Sequence, residues 1–236
     1  MAHNIMTCDI MTCDISGLLT ALQFADSAFP SGGFAFSWGL EGLAADGLIA
    51  DALDVAEIAE EQLTYRWNSM DRILLRRAFV VADVAAVAAV DLQAEAATLS
   101  AETRVGSRRA GRALLGTSAR LGHVAAQAYR KATHADARLG HLAVAQGVVF
   151  KAAGLILPLA EMLSGWAVII GFASAAVRLG LIGHIEAQEI AMSLRPVLTR
   201  LLDSNPPAGE RLASFTPLTD IAVSRGTSRH MRMFAT

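Results

Sequence analysis

The chain has 236 residues, of which 53% are hydrophobic and 18% charged, and its formal net charge is −2. With a mean hydropathy of +0.42 and a pI near 6.3, these values exclude a disordered or collagen-like chain and a nucleic-acid-binding polycation. Two cysteines exclude a disulfide scaffold and a four-cysteine zinc site, and the length leaves ample material for a core.

Residues 1–15 read as a frayed tail. They hold a tandem pentapeptide, Ile5-Met6-Thr7-Cys8-Asp9 then Ile10-Met11-Thr12-Cys13-Asp14, whose cysteine spacing is not C-x-x-C. Residues 16–205 read as one all-α domain. Ile15, Leu18, Leu19, Leu22, Ala25 and Phe29 recur at helical spacing, so a helix is predicted over 16–29. Pro30-Ser31-Gly32-Gly33 stops it, and a short helix follows over 36–46. Asp54, with Glu57 three residues on, predicts the cap of the next helix, which Asn68-Ser69 interrupts. Asp83 and Ser100 predict the caps of helices reaching Ala97 and Leu121. Further helices are predicted near 123–133, 140–155, 158–180 and 184–203, with Pro196 inside or kinking the last. Asn205-Pro206-Pro207 is expected to end the helical part, leaving 206–236 as a tail. Little strand-like alternation appears, so the expectation is an all-α globule of eight to ten helices without a sheet.

The apolar stretch 152–177 is split by Glu161 and closed by Arg178. Its uncharged part, Met162–Val177, is 16 residues long, short of the roughly 20 a bilayer span needs. A buried core helix is the expectation. With no secretory signal pattern at the start, the expected address is the cytoplasm.

Charge is unevenly placed. Residues 1–65 hold ten acids and no Lys or Arg, whereas residues 104–138 hold eight bases against Asp136 alone. Arg104, Arg108 and Arg112 share a helix face, so their repulsion requires a partner or compensation of the Glu102 type. Acidic helices pairing with this basic row would supply it.

Recognised catalytic patterns are missing. Neither Lys131 nor Lys151 follows a phosphate-loop glycine, and G-x-S-x-G, H-E-x-x-H and G-x-G-x-x-G do not occur. No two histidines stand four apart. His134 and His141 are separated by Leu139-Gly140, which breaks a shared helix, and structural hydrogen bonding is the expected role of each His. Two competing readings stand beside the main one: a membrane-associated helical protein carried by 152–177, and a helical metal or small-molecule enzyme using His134, His141 and His184.

Pro30-Ser31-Gly32-Gly33-Phe34-Ala35-Phe36-Ser37-Trp38-Gly39-Leu40-Glu41 is the most informative segment. Its glycines permit a sharp turn between helices, and Gly39 leaves room for a neighbouring helix. A buried elbow accounts for the glycines and aromatics but does not require Ser31, Ser37 and Glu41. Leu22 to Glu41 resembles the UreF family of urease accessory proteins, whose pattern is Pro-x-Gly-Gly-(Phe/Tyr)-x-(Tyr/Phe)-Ser-x-Gly-(Leu/Ile)-Glu after a leucine-rich helix. Three later pieces agree: Glu102-Thr103-Arg104 with Gly111-Arg112 and Leu114; Val177-Arg178-Leu179-Gly180 with Gly183; and Pro217-Leu218 with Asp220-Ile221-Ala222, His230 and Arg232-Met233-Phe234. The resemblance covers about residues 16–236. His184 departs from the usual Gln, Met233 from the usual Leu, and the Ala235-Thr236 ending from the usual basic-Ser ending.

The resemblance implies an all-α, cytoplasmic, commonly dimeric assembly factor without catalytic residues of its own. Its implied partners are the scaffold UreD (also called UreH), the GTPase UreG and apo-urease. Together they deliver nickel and carbon dioxide to generate a carbamylated-lysine dinickel site. It also implies that the chain binds no cofactor or metal itself, that nickel is handled by the complex, and that GTP is bound by the partner. Nucleic acid and membrane are not among the implied partners. The implied partner-binding residues are Pro30, Ser31, Gly32, Gly33, Phe34, Ser37, Glu41, Glu102, Arg104, Arg178, His230, Arg232 and Phe234. The tail is expected to dock on UreD, and the elbow side to meet the GTPase and the dimer partner.

Overall fold

The computed structural model describes residues 15–32, 36–206 and 211–226. The helices are α1 (Ile15–Ala25), α2 (Leu40–Ala45), α3 (Ala52–Gln62), a π-helical segment (Leu63–Asp71), α4 (Arg72–Val80), α5 (Val84–Ala97), α6 (Ala101–Arg120), α7 (Val124–Ala135), α8 (Leu142–Ala152), α9 (Leu157–Arg178), α10 (His184–Asp203) and α11 (Pro217–Gly226). The span from α3 through the π segment to α4 is unbroken, so the described residues form ten continuous helices and no strand. The expected all-α fold is the one adopted.

Boundaries follow local chemistry. Asp83 and Ser100 cap α5 and α6 as expected, accepting from the Ala86 and Thr103 amides at 2.8 and 3.2 Å. The cap of α3 is Asp51 rather than Asp54: its carboxylate accepts from the Leu53 and Asp54 amides, while Asp54 reaches back to the Ala50 amide at 2.7 Å. The first helix stops at Ala25, not Phe29, because the Asp26 carboxylate takes the Ala28 amide and turns the chain. The second starts at Leu40, not Phe36. Trp38 and Gly39 both have positive φ, 53° and 94°, which a right-handed helix cannot pass through. Asn68-Ser69 does not interrupt its helix; the turn there widens to π spacing. Pro196 is accommodated on an exposed part of α10, which runs through it. The short apolar stretch Val148–Phe150, whose sequence alone is ambiguous between strand and helix, is helix inside α8.

The helical part does not end at Asn205-Pro206-Pro207. Residues 211–216 form an extended strap and α11 follows, packed on α2 and α6. Gly39 is what lets α11 approach. A Cβ there would lie 2.5 Å from Thr219 Cγ2 and 3.1 Å from Val223 Cγ2.

Among the described residues two apolar clusters fill the interior. One gathers Leu74, Leu75, Leu115, Tyr129, Val144 and Val149 from α4–α8; the other gathers Leu43, Trp67, Ile169, Phe172, Ile190 and Leu194 from α2, the π segment, α9 and α10. The helix α9 joins them, giving Ala160 and Leu163 to the first and Ile169 to Ala176 to the second. By length and composition alone α9 could cross a membrane, its most apolar window averaging a hydropathy of 1.6, but 56% of that window is buried inside the fold. That matches the expected core helix.

Candidate functional site

The elbow is held against α6. The Thr117 hydroxyl donates to the Pro30 carbonyl at 2.9 Å, and the Ser31 amide to that of Phe29 at 2.7 Å. Gly32 turns with φ 78°, and a Cβ there would stand 2.6 Å from Ala113 Cβ. Beyond it, Ser37 is fully buried, its carbonyl accepting the first amide of α2 and its hydroxyl finding no partner among the described residues. Phe36 stacks beside Trp38 with Arg109 over its ring. Glu41 sits half-buried in the first turn of α2. Gly33, Phe34, His230, Arg232, Phe234 and the Cys8/Cys13 repeat lie outside the described residues.

Next to the elbow opens a cavity of about 260 Å³. All three tryptophans of the chain, Trp38, Trp67 and Trp166, stand in its wall. Its polar wall includes Ser31 and Arg178, so two of the expected site residues meet here. Arg178 lies in the last turn of α9, its guanidinium donating to the Ser174 carbonyl at 3.3 Å, and burial pulls its pKa below the usual value. Arg66 and Asp71, from the π segment, form an ion pair at 3.3 Å in the same wall. Burial pushes the Asp71 carboxyl above its ordinary range, with Arg66 opposing. Gln146, Ser164 and Trp67 are linked: the Trp67 ring N–H donates to the Ser164 hydroxyl at 3.1 Å, which donates to Gln146 at 2.8 Å. Aromatic walls with a few convergent polar groups suit binding. The sequence reading missed Arg66, Asp71, Gln146 and Ser164; the signal in sequence was polar residues set within apolar periodicity, which alone does not give direction.

Glu102 and Arg104 do not line this cavity. Glu102 accepts from the Ser100 hydroxyl at 2.9 Å, at the start of α6. Arg104 donates to the Thr98 and Leu99 carbonyls at 2.6 and 2.9 Å, closing the end of α5. Compensation of the basic row comes from Glu95 on α5, not Glu102. Glu95 pairs with Arg104 at 3.4 Å and with Arg108, and Arg112 instead binds the Ala137 and Leu139 carbonyls at 2.7 and 2.8 Å.

The same carboxylate meets His141. Its Nε2 lies 2.8 Å from Glu95, and its Nδ1 lies 3.3 Å from the Ser107 hydroxyl. Behind it, fully buried Asp91 accepts from the Tyr129 hydroxyl and from the Gly140 and His141 amides. This is the structural hydrogen-bonding role expected for His. His134 lies on α7 and His184 begins α10, and no group of three His, Cys, Asp or Glu side chains among the described residues could hold a metal ion.

Burial lowers the His141 pKa, with the Asp91 and Glu95 carboxylates opposing. Burial would raise Glu95, but hydrogen bonds from His141 and Arg108 outweigh it and leave the carboxyl low. A depressed folded-state His pKa contributes stability above the unfolded value of about 6.5 and loses it as pH falls through the folded value. Thermal denaturation is therefore expected to show a falling Tm below about pH 6.5, and His141→Asn should flatten that fall. Equal slopes for the two proteins would contradict the assignment.

Comparison with known proteins follows the same residues. The pattern of the UreF family matches residues 49–195. The chain is 30% identical over 233 residues to a urease accessory protein UreF of Trichodesmium erythraeum, covering 94% of this chain and 97% of that one. It is 32% identical over 222 residues to the UreF of Cereibacter sphaeroides, covering 93% and 98%. It is 31% identical over 229 residues to urease accessory protein UreF 1 of Brucella melitensis, covering 93% of each. The elbow, the arginine row of α6 and the end of α9 all fall within these alignments' reach, and the chain belongs to the UreF family of urease accessory proteins.

Proposed function

We propose that this chain bridges the scaffold UreD (UreH) and the GTPase UreG and is required for GTP-dependent nickel insertion into apo-urease. The observation that carries the reading is the family match, which extends over nearly the whole chain rather than one segment. In this reading the chain is a non-catalytic chaperone that works as a homodimer in the cytoplasm. Nickel is cargo of the complex, GTP is bound and hydrolysed by UreG, and the chain holds no cofactor of its own. Pro30, Ser31 and Gly32, fixed against α6 beside the cavity, form the side offered to the GTPase and the second copy. His230, Arg232 and Phe234 dock on UreD.

Urease expressed with all its accessory genes, with and without this one, tests the proposal. Without it, urease is expected to be made but to stay nickel-poor and inactive at limiting nickel. Unchanged nickel content and activity would refute the role. Deleting residues 232–236 should reduce co-purification with UreD while leaving the helical circular dichroism intact; full co-purification would remove the tail from that interface.

A further inference from the structure

The strap and α11 rest on an unusual seat. The Ala213 and Phe215 amides donate to the Ser69 and Tyr65 carbonyls at 3.1 and 3.0 Å, and the Ser69 hydroxyl reaches the Ala213 carbonyl at 2.7 Å. Both acceptor carbonyls belong to the π segment, where the wider turn loosens the ordinary i to i+4 pairing. Along the strap, residues 212, 214 and 216 turn inward and 211, 213 and 215 outward. The hydroxyls of Ser214 and Thr216 are buried without a partner among the described residues. Such unpaired groups oppose seating, so the strap is held by its backbone and by Leu212, which packs against the first apolar cluster.

Under α11 lies a small second cavity of about 20 Å³. Its roof includes Thr216, Thr219 and Asp220. Its other walls include Trp38, Gln62 and Arg66, which also line the large aromatic cavity. Among the described residues only these three are common to both walls, so they form the partition. The partition and the roof are tied: the Gln62 side-chain amide donates to the Thr219 hydroxyl at 2.9 Å. Arg225, at the end of α11, adds an ion pair to Asp46 at 3.5 Å with its own side chain mostly exposed.

We infer that the strap and α11 act as a lid over a second mouth of the aromatic cavity, latched on the carbonyls of the π segment. Lifting α11 removes the roof of the small cavity and the Thr219 anchor of Gln62. The partition then loses its support, and small polar solutes reach the large cavity from the α11 side. This property belongs to the isolated chain and does not depend on the bridging role proposed above.

The test uses the full chain with Cys8→Ser, Cys13→Ser and Thr103→Cys. Thr103 is buried and lines the small cavity, so its replacement is a thiol reporter beneath the lid. The variant Ala213→Pro/Phe215→Pro removes both strap donors at exposed positions. Thr219→Val removes the Gln62 anchor while keeping the side-chain shape. With helical circular dichroism retained, each variant is expected to speed thiol labelling about tenfold by populating the open state. Acrylamide quenching of the tryptophans should rise roughly twofold in the same variants. Unchanged labelling in both variants would overturn the latch. Faster labelling without added quenching would overturn the connection to the large cavity. Global unfolding of both variants would make α11 part of the core and overturn the lid.

Discussion

Glu161→Ala is expected to cost about 3–5 kcal/mol, because it leaves a buried guanidinium without its counter-charge. Arg72 is 2% exposed and sits between the two apolar clusters. Its guanidinium donates to Glu161 at 3.1 Å, to Asn68 at 3.0 Å and to the Leu201 carbonyl at 2.6 Å, and it lies over the Trp67 ring. Arg76 shares the same Glu161 oxygen at 2.7 Å from a more exposed position. One carboxylate on α9 therefore ties α4 and, through Arg72, the end of α10. Arg76 can turn to water when Glu161 is lost, but Arg72 cannot. Urea denaturation of Glu161→Ala beside Arg76→Ala measures this asymmetry, the latter being expected to lose only about 1 kcal/mol or less. A loss below about 1 kcal/mol for Glu161→Ala would show that Arg72 finds other neutralisation.

Gly111→Ala is the second large effect. A Cβ at Gly111 would lie 2.2 Å from the Gly140 carbonyl oxygen and 2.8 Å from the His141 carbonyl carbon. Both obstacles are backbone, and that backbone is fixed by Asp91 through the Gly140 and His141 amides and by Arg112 through the Leu139 carbonyl. Neither side can yield by a rotamer change, so α6 must separate from the start of α8. The expected cost is about 3 kcal/mol, at the upper end for overpacking. Gly116→Ala on the same helix is the control. Its Cβ would meet nothing closer than 3.8 Å, and the gain in helix propensity of up to about 1 kcal/mol should leave it neutral or stabilised. Similar denaturation midpoints for the two variants would refute the close-approach account.

These two sites show where sequence reasoning stopped. The glycine at 111 was visible as part of a family-like pattern, but nothing nearby in sequence reveals that residue 140 presses on it. Likewise Glu161 was visible as a charge splitting an apolar run, while its partners Arg72 and Arg76 stand more than 80 positions away. The same limit explains the cavity. Ser31 and Arg178 were named from pattern, but Arg66 and Asp71 were not, since only the fold brings the π segment to the elbow. For the arginine row, like-charge spacing on one helix correctly demanded a counter-charge. The demand could not name Glu95, because a helix face says what must be neutralised and not from which neighbour.

Local chemistry determined most of the secondary structure. The helical periods, the Asp83 and Ser100 caps and the span of α10 follow from residues within one or two turns of each other. The family was legible as well, because its pattern is written in contiguous segments. Tertiary structure alone decided the π spacing at Leu63–Asp71, the left-handed pair Trp38-Gly39 and the helix α11 beyond Pro206-Pro207. Each depends on a partner distant in sequence: the strap on the Tyr65 and Ser69 carbonyls, and Thr219 and Val223 on Gly39. Propensity is set by neighbours along the chain, whereas these conformations are stabilised by contacts that exist only after the chain has closed on itself.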